Sequence, residues 1–89
     1  MLLSIIKALP EGYSEGWYEN AKYSITKRTF NQGKSYKIYA KELKGTNFIS
    51  LNYYLTTNQE LLKPCEMPVS KVVEFLTKLQ FLLFICLWG

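Results

Sequence analysis

The middle of the chain alternates apolar and polar residues with the two-residue period of half-buried β-strands. The alternation is clearest over 35–43 and 48–55, and a third stretch, Tyr23 to Phe30, is rich in aromatic and β-branched residues. Alternate positions of these stretches carry side chains suited to a core, and these positions are Tyr23, Ile25, Tyr36, Ile38, Ala40, Ile49, Leu51, Tyr53 and Leu55. We therefore predict an antiparallel sheet with one buried face and one face open to solvent, here called the open face.

Polar segments between these stretches predict short turns and set the strand order. Gly33 lies in the first connection, where a short hairpin needs a positive φ, and Gly45 lies in the second. A weaker strand is predicted to begin at Gly16, before a turn at residues 19–21, and a short one to cover Glu60 to Lys63. The result is a meander of four or five strands over residues 16–67.

The two ends of the chain have helical patterns. Residues 1–10 are mostly apolar and stop at Pro10, which predicts a short N-terminal helix followed by a loop to residue 15. From Ser70 to at least Leu79 we predict a second helix, whose apolar stripe comprises Val69, Val72, Val73, Leu76 and Leu79. The predicted fold is a single α+β domain over 1–89, a four- to five-stranded antiparallel β-meander packed against a C-terminal helix, with a short N-terminal helix.

The last residues form an uncharged apolar tail, from Leu79 to Gly89. It is too short to cross a bilayer, which needs about 20 residues. The favoured interpretation is burial in the core or in a dimer interface, because a chain of 89 residues has a small core of its own. A weak membrane contact is the less favoured alternative, and a non-native end is another.

Composition excludes several kinds of site. The chain has no histidine and no aspartate, so a Ser-His-Asp triad, a His-ligated zinc and an Asp-lined calcium loop are ruled out. The two cysteines, Cys65 and Cys86, lack the spacing of a metal motif or a disulfide framework. We expect no cofactor and no metal, and we predict a reducing compartment, the cytoplasm.

Basic residues are concentrated in one region. Residues 22–44 hold seven lysines and arginines and one glutamate, a local charge of +6. The net charge of the whole chain is +4. Strand parity places cations, aromatic rings and an amide together on the open face, and the candidate site residues are Arg28, Lys37, Tyr39, Lys41, Asn52 and Tyr54. Such a surface is typical of single-stranded nucleic-acid binding, with cations on phosphates, Tyr39 and Tyr54 stacked on bases, and Asn52 donating hydrogen bonds.

The run from Tyr36 to Leu76 resembles the PC4-type transcriptional coactivator domain. The matching motifs are Leu43-Lys44-Gly45, Tyr53-Tyr54 and Leu62-Lys63-Pro64, and the run that contains them covers about half of the chain. The resemblance implies binding of single-stranded DNA on the exposed face of a curved sheet by a homodimer, with the C-terminal helix mediating dimerisation.

The chain departs from the family pattern at positions that bear on phosphate binding. The arginine that the family places before its aromatic pair falls at Asn52, and the Lys-Gly after the Lys-Pro segment is replaced by Cys65-Glu66-Met67. Both changes remove cations. The segment from Met1 to Trp17 has no counterpart in the match.

Two other functions compete with nucleic-acid binding. Exposed tyrosines and lysines also stabilise ordinary sheets, which makes a protein-interaction module the main alternative. A thiol-dependent enzyme, such as a peptide methionine sulfoxide reductase-like protein, would use Cys65, but the Gly-Cys-Phe-Trp motif is missing. A structural cysteine buried between sheet and helix is the preferred interpretation, and we predict a binding protein rather than an enzyme.

Overall fold

The alternating stretches pair as neighbouring strands of one antiparallel sheet in a computed structural model that describes residues 2–81. The strand order is β5-β4-β3-β2-β1-β6. The elements along the chain are α1 (Leu2–Ala8), β1 (Gly12–Tyr18), β2 (Ala21–Phe30), a 3-10 turn (Asn31–Gly33), β3 (Ser35–Glu42), β4 (Phe48–Leu55), β5 (Glu60–Pro64), α2 (Val69–Lys78) and β6 (Gln80–Phe81). The predicted α+β class, with a meander of five consecutive strands and a helix at each end, is confirmed.

The buried face of the sheet, here called the inner face, has the parity that the sequence predicts. Both helices pack on this side and contact each other. The core comprises Tyr18, Tyr23, Ile25, Tyr36, Ile38, Ala40, Ile49, Leu51 and Tyr53 from the strands, Ile6 and Leu9 from the N-terminal segment, and Val72, Phe75 and Leu76 from α2. Because one face is buried, the register of each strand is held by its apolar residues.

Strand β1 begins earlier than predicted, at Gly12 rather than Gly16. It pairs with β2 from Gly12 opposite Lys27 to Tyr18 opposite Ala21. The sequence signal is weak because glycines occupy two positions of the strand and leave no side chain to show the alternation. Residues 12–15 therefore belong to the sheet and not to the loop that follows the N-terminal helix.

Lys27 is a basic residue of the inner face and is only 5% exposed. Its Nζ atom donates to the carbonyl oxygens of Leu9 at 2.8 Å and Lys7 at 3.4 Å, at the C-terminal end of α1. The ammonium also lies 5.4 Å from the centroid of the Tyr36 ring. Burial lowers the pKa of Lys27. This lysine therefore holds α1 against the sheet and is not part of the exposed basic region.

Helix α2 ends at Lys78, and the prediction that it continues through Leu79 is wrong. Leu79 has extended backbone angles, and the chain reverses into β6, where Gln80 pairs with Trp17. The buried residues of α2 are Val72, Phe75 and Leu76, whereas Val69 is 52% exposed. The predicted apolar tail continues beyond residue 81, outside the described residues.

Phe75 is the core residue of α2 that the predicted stripe omits. Its ring lies 5.0 Å from that of Tyr18 and 5.2 Å from that of Tyr23. The Tyr18 hydroxyl also donates to Glu74 Oε2 at 2.6 Å, which raises the pKa of Tyr18 and lowers that of Glu74. These side-chain contacts join α2 to β1 and β2, while its backbone lies closest to β4 and β5 and Val69 is exposed. No helix within residues 2–81 is long and apolar enough to cross a membrane.

Candidate nucleic-acid interface

The structure places all six predicted site residues on the open face. They lie on the three central strands β2, β3 and β4, with side chains on the side away from both helices. Arg28 is directly opposite Lys37, and Lys37 is directly opposite Asn52. Neighbouring strands lie about 4.8 Å apart, so these three side chains stand next to one another across the sheet.

Lys63 extends this line of side chains and was not among the predicted site residues. It lies on β5 directly opposite Asn52 and is exposed. Arg28, Lys37, Asn52 and Lys63 thus form a row across four strands, here called the cross-strand row. The sequence signal that could have identified Lys63 is the turn at 57–59. If Leu55 pairs with Glu60 across this turn, Lys63 lies opposite Asn52.

The cross-strand row carries three cations, and of these Arg28 interacts electrostatically with one acidic side chain, that of Glu11. Like charges directly opposite on neighbouring strands, as in Arg28 and Lys37, destabilise a sheet. Among residues 2–81 the ion pairs are Lys22 with Glu15 and Lys78 with Glu74, and neither involves the row or Lys41. The row therefore carries an excess of positive charge that an anionic ligand would neutralise.

Aromatic rings flank the cross-strand row on both sides. On one side are Phe30, 48% exposed, and Tyr54, 37% exposed. On the other side is Tyr39, 43% exposed, whose ring stacks on that of Phe48 with centroids 6.2 Å apart and planes inclined by 29°. The sequence indicated that Phe48 faces outward but did not include it in the site. Flat exposed rings on either side of a line of cations offer stacking surfaces next to charge.

A shallow depression of about 420 Å³ lies over this part of the open face. It is lined by Thr26, Arg28, Phe30, Lys37 and Tyr39. Three of these residues contribute a cation or a predicted stacking ring to the site. Three of the six predicted site residues, Arg28, Lys37 and Tyr39, are therefore brought together around a concave surface.

Asn52 and Cys65 contact each other on the open face. The Asn52 amide nitrogen lies 3.9 Å from Cys65 Sγ, a weak contact because sulfur is a poor acceptor. Cys65 is half-buried beside the sheet surface, so the prediction of a cysteine buried between sheet and helix is wrong. Within residues 2–81 no group of three or more cysteine and acidic side chains is placed to hold a metal ion.

No protein-family model, curated protein or solved structure matches this chain. The resemblance to the PC4-type domain therefore stays a prediction.

Proposed function

We propose that this protein binds single-stranded nucleic acid on the open face of its sheet. The observation that carries the proposal is the cross-strand row, in which Arg28, Lys37 and Lys63 present positive charge and make no ion pair within residues 2–81. Phosphates of a single strand would lie along this row. Its unstacked bases would lie on Tyr54 and Phe30 on one side and on Tyr39 on the other.

The shape of the surface favours a single strand over a duplex. Duplex recognition needs a helix or a two-stranded ribbon that enters a groove. Here both helices pack on the inner face, away from the row. Base stacking on an exposed ring contributes about 1–3 kcal/mol per base, and in a duplex the bases are already stacked on each other. An open sheet with rings between cations therefore suits unpaired bases.

Dimerisation and location are also part of this proposal. The homodimer predicted through the C-terminal helix would use the exposed side of α2, including Val69, because Val72, Phe75 and Leu76 are buried against the chain's own sheet. The cytoplasm, predicted from cysteine usage, would supply both single-stranded DNA and RNA as ligands.

The proposal is tested by fluorescence anisotropy with a labelled oligothymidylate at low and moderate salt. We expect affinity to fall with salt concentration, because each phosphate contact releases a counterion. In the double variant Lys37→Glu/Lys41→Glu binding should be lost, since two of the cations become repulsive.

The matched control is the double variant Lys7→Glu/Lys78→Glu. It changes the net charge by the same amount, but both lysines are exposed on helices that cover the inner face. If both doubles lose affinity equally, binding reflects overall charge and the open-face assignment is wrong. Absence of binding at low salt, from protein shown to be folded by circular dichroism, would refute the proposed function itself.

A further inference from the structure

A second pocket lies on the open face, at the end remote from Phe30 and Tyr54. It has a volume of about 660 Å³ and is formed where the β1–β2 turn meets the end of β3. We call it the Trp17 pocket, and its lining includes Trp17, Ala21, Lys22, Glu42, Leu43 and Lys44. The candidate site residues described above do not line it.

The Trp17 pocket is on the same side of the sheet as the cross-strand row. Trp17 is directly opposite Lys22 on β2, and Lys22 has the parity of Arg28 on that strand. The Leu43 amide donates to the Lys22 carbonyl at 2.9 Å, which closes the pocket on the β3 side. Along β2, Lys22 and Arg28 are separated by about 20 Å at the usual strand rise of about 3.3 Å per residue.

The lining of the pocket has the chemistry of a nucleotide site. The Trp17 indole is 38% exposed and Leu43 is 47% exposed, so a flat ring and an apolar side chain face solvent together. Lys44 is exposed at the rim, and within residues 2–81 it makes no ion pair. Lys22, by contrast, pairs with Glu15 at 3.0 Å. An indole stacks on a base while a free ammonium beside it pairs with a phosphate.

We infer that the Trp17 pocket holds a base of the same single strand whose phosphates lie on the cross-strand row. The strand would cross the sheet along the cross-strand row and turn at Arg28, and from there it would follow β2 to Lys22 and Trp17. This inference rests on the proposed function. It adds to the binding surface Trp17 and Lys22, which lie outside the run that resembles a known family, together with Lys44, which lies inside it.

Tryptophan fluorescence tests the inference directly. The chain has two tryptophans, so a Trp88→Phe variant leaves Trp17 as the sole indole. A base stacked on Trp17 quenches this emission, and we expect quenching by an oligothymidylate of about 16 nucleotides, the upper site size of a single-strand-binding fold. The quenching should follow the same titration curve as the anisotropy of the labelled strand, because one ligand occupies both regions.

Substitution of Trp17 gives an independent measurement. Trp17→Ala should lower the affinity for the same oligonucleotide by about 5- to 150-fold, the loss of one stacked base. Trp17→Phe keeps an aromatic ring and should lose less. The matched control is Tyr13→Ala: Tyr13 is on the same strand and face and is 63% exposed, but it does not line the Trp17 pocket. Tyr13→Ala should lose much less affinity than Trp17→Ala.

The two proposals fail in different ways. If anisotropy reports binding but Trp17 emission is unchanged and Trp17→Ala binds as tightly as the parent, the inference is overturned and the proposed function stands. If Trp17→Ala and Tyr13→Ala lose affinity equally, the pocket is not a distinct subsite. If no oligonucleotide binds the folded protein, the proposed function fails and the inference with it.

Discussion

Lysines and tyrosines occur on both faces of the sheet, but they are buried on the inner face and exposed on the open face. Lys27 and Lys37 lie on neighbouring strands, yet Lys27 is buried with its ammonium on backbone carbonyls and Lys37 is exposed opposite Arg28. Tyr53 and Tyr54 are consecutive, yet one is 1% exposed and the other 37%. The difference teaches that strand parity decides whether a lysine or a tyrosine of this chain serves stability or remains available to a ligand.

The largest expected effect is on stability, in the pair Tyr53→Ala and Tyr54→Ala. Removing the Tyr53 ring should lower the free energy of unfolding by about 3–5 kcal/mol, the range for large aromatic side chains in a core. Removing the Tyr54 ring should lower the free energy of unfolding by no more than about 1 kcal/mol, because only cross-strand contacts are lost. Urea unfolding followed by circular dichroism measures both, and similar losses in the two variants would contradict the assignment of faces.

Tyr54→Ala should have its main effect on binding. Loss of a stacking ring is expected to weaken binding of a single-stranded oligonucleotide by about 1–3 kcal/mol, while Tyr54→Phe, which keeps the ring, should bind nearly as well as the parent. Anisotropy titrations of the two variants measure the difference. Equal affinities for Tyr54→Ala and Tyr54→Phe would show that the ring does not touch the ligand.

The two lysines provide the next comparison. Lys27→Met should lower the free energy of unfolding by about 1–3 kcal/mol, because the Leu9 carbonyl loses a donor at a buried position. Lys37→Met should change the free energy of unfolding by no more than about 0.5 kcal/mol. Any change should be an increase, because the substitution relieves repulsion with Arg28. Thermal and urea unfolding of both variants test this, and a Lys27→Met protein as stable as the parent would mean that α1 needs no contact with Lys27.

The smallest expected effect is in the acid range. The hydrogen bond from Tyr18 lowers the pKa of Glu74 below its ordinary value of 4.5. A carboxyl with a lowered folded-state pKa stabilises the fold above the unfolded value, and this stabilisation is lost as pH falls through the folded value. Tyr18→Phe removes the bond and keeps the ring, so its unfolding free energy should decline less than that of the parent below about pH 4.5.

Tyr13→Phe on the open face is the control for this measurement. It removes a hydrogen bond to Glu15 that also lowers a carboxyl pKa, but the two residues are on one strand, two positions apart. Tyr18 and Glu74 join β1 to α2 and meet only in the folded chain. If the two variants change the acid-induced decline in unfolding free energy equally, the hydrogen bond between sheet and helix contributes no more than the one within β1.

Most of the site could be predicted because it depends on alternation within single strands. The apolar residues of 35–43 and 48–55 identify the buried parity, and the opposite parity then holds Lys37, Tyr39 and Lys41. Lys63 was missed because its position opposite Asn52 depends on the register between β4 and β5, for which the turn at 57–59 is the available signal. Trp17 was missed for a related reason, since glycines hide the alternation of β1.

The sequence by itself determined the meander, its two faces and the cations and rings of the open face, because period-two patterning and turn residues act over a few positions. Tertiary structure alone decided that the end of α1 supplies the acceptors for Lys27, that the chain turns from α2 into β6, and that Arg28, Lys37, Asn52 and Lys63 lie in one row. The physical reason is that register and helix docking depend on contacts between residues distant in the chain. A lysine becomes buried only when another segment supplies acceptors for its ammonium.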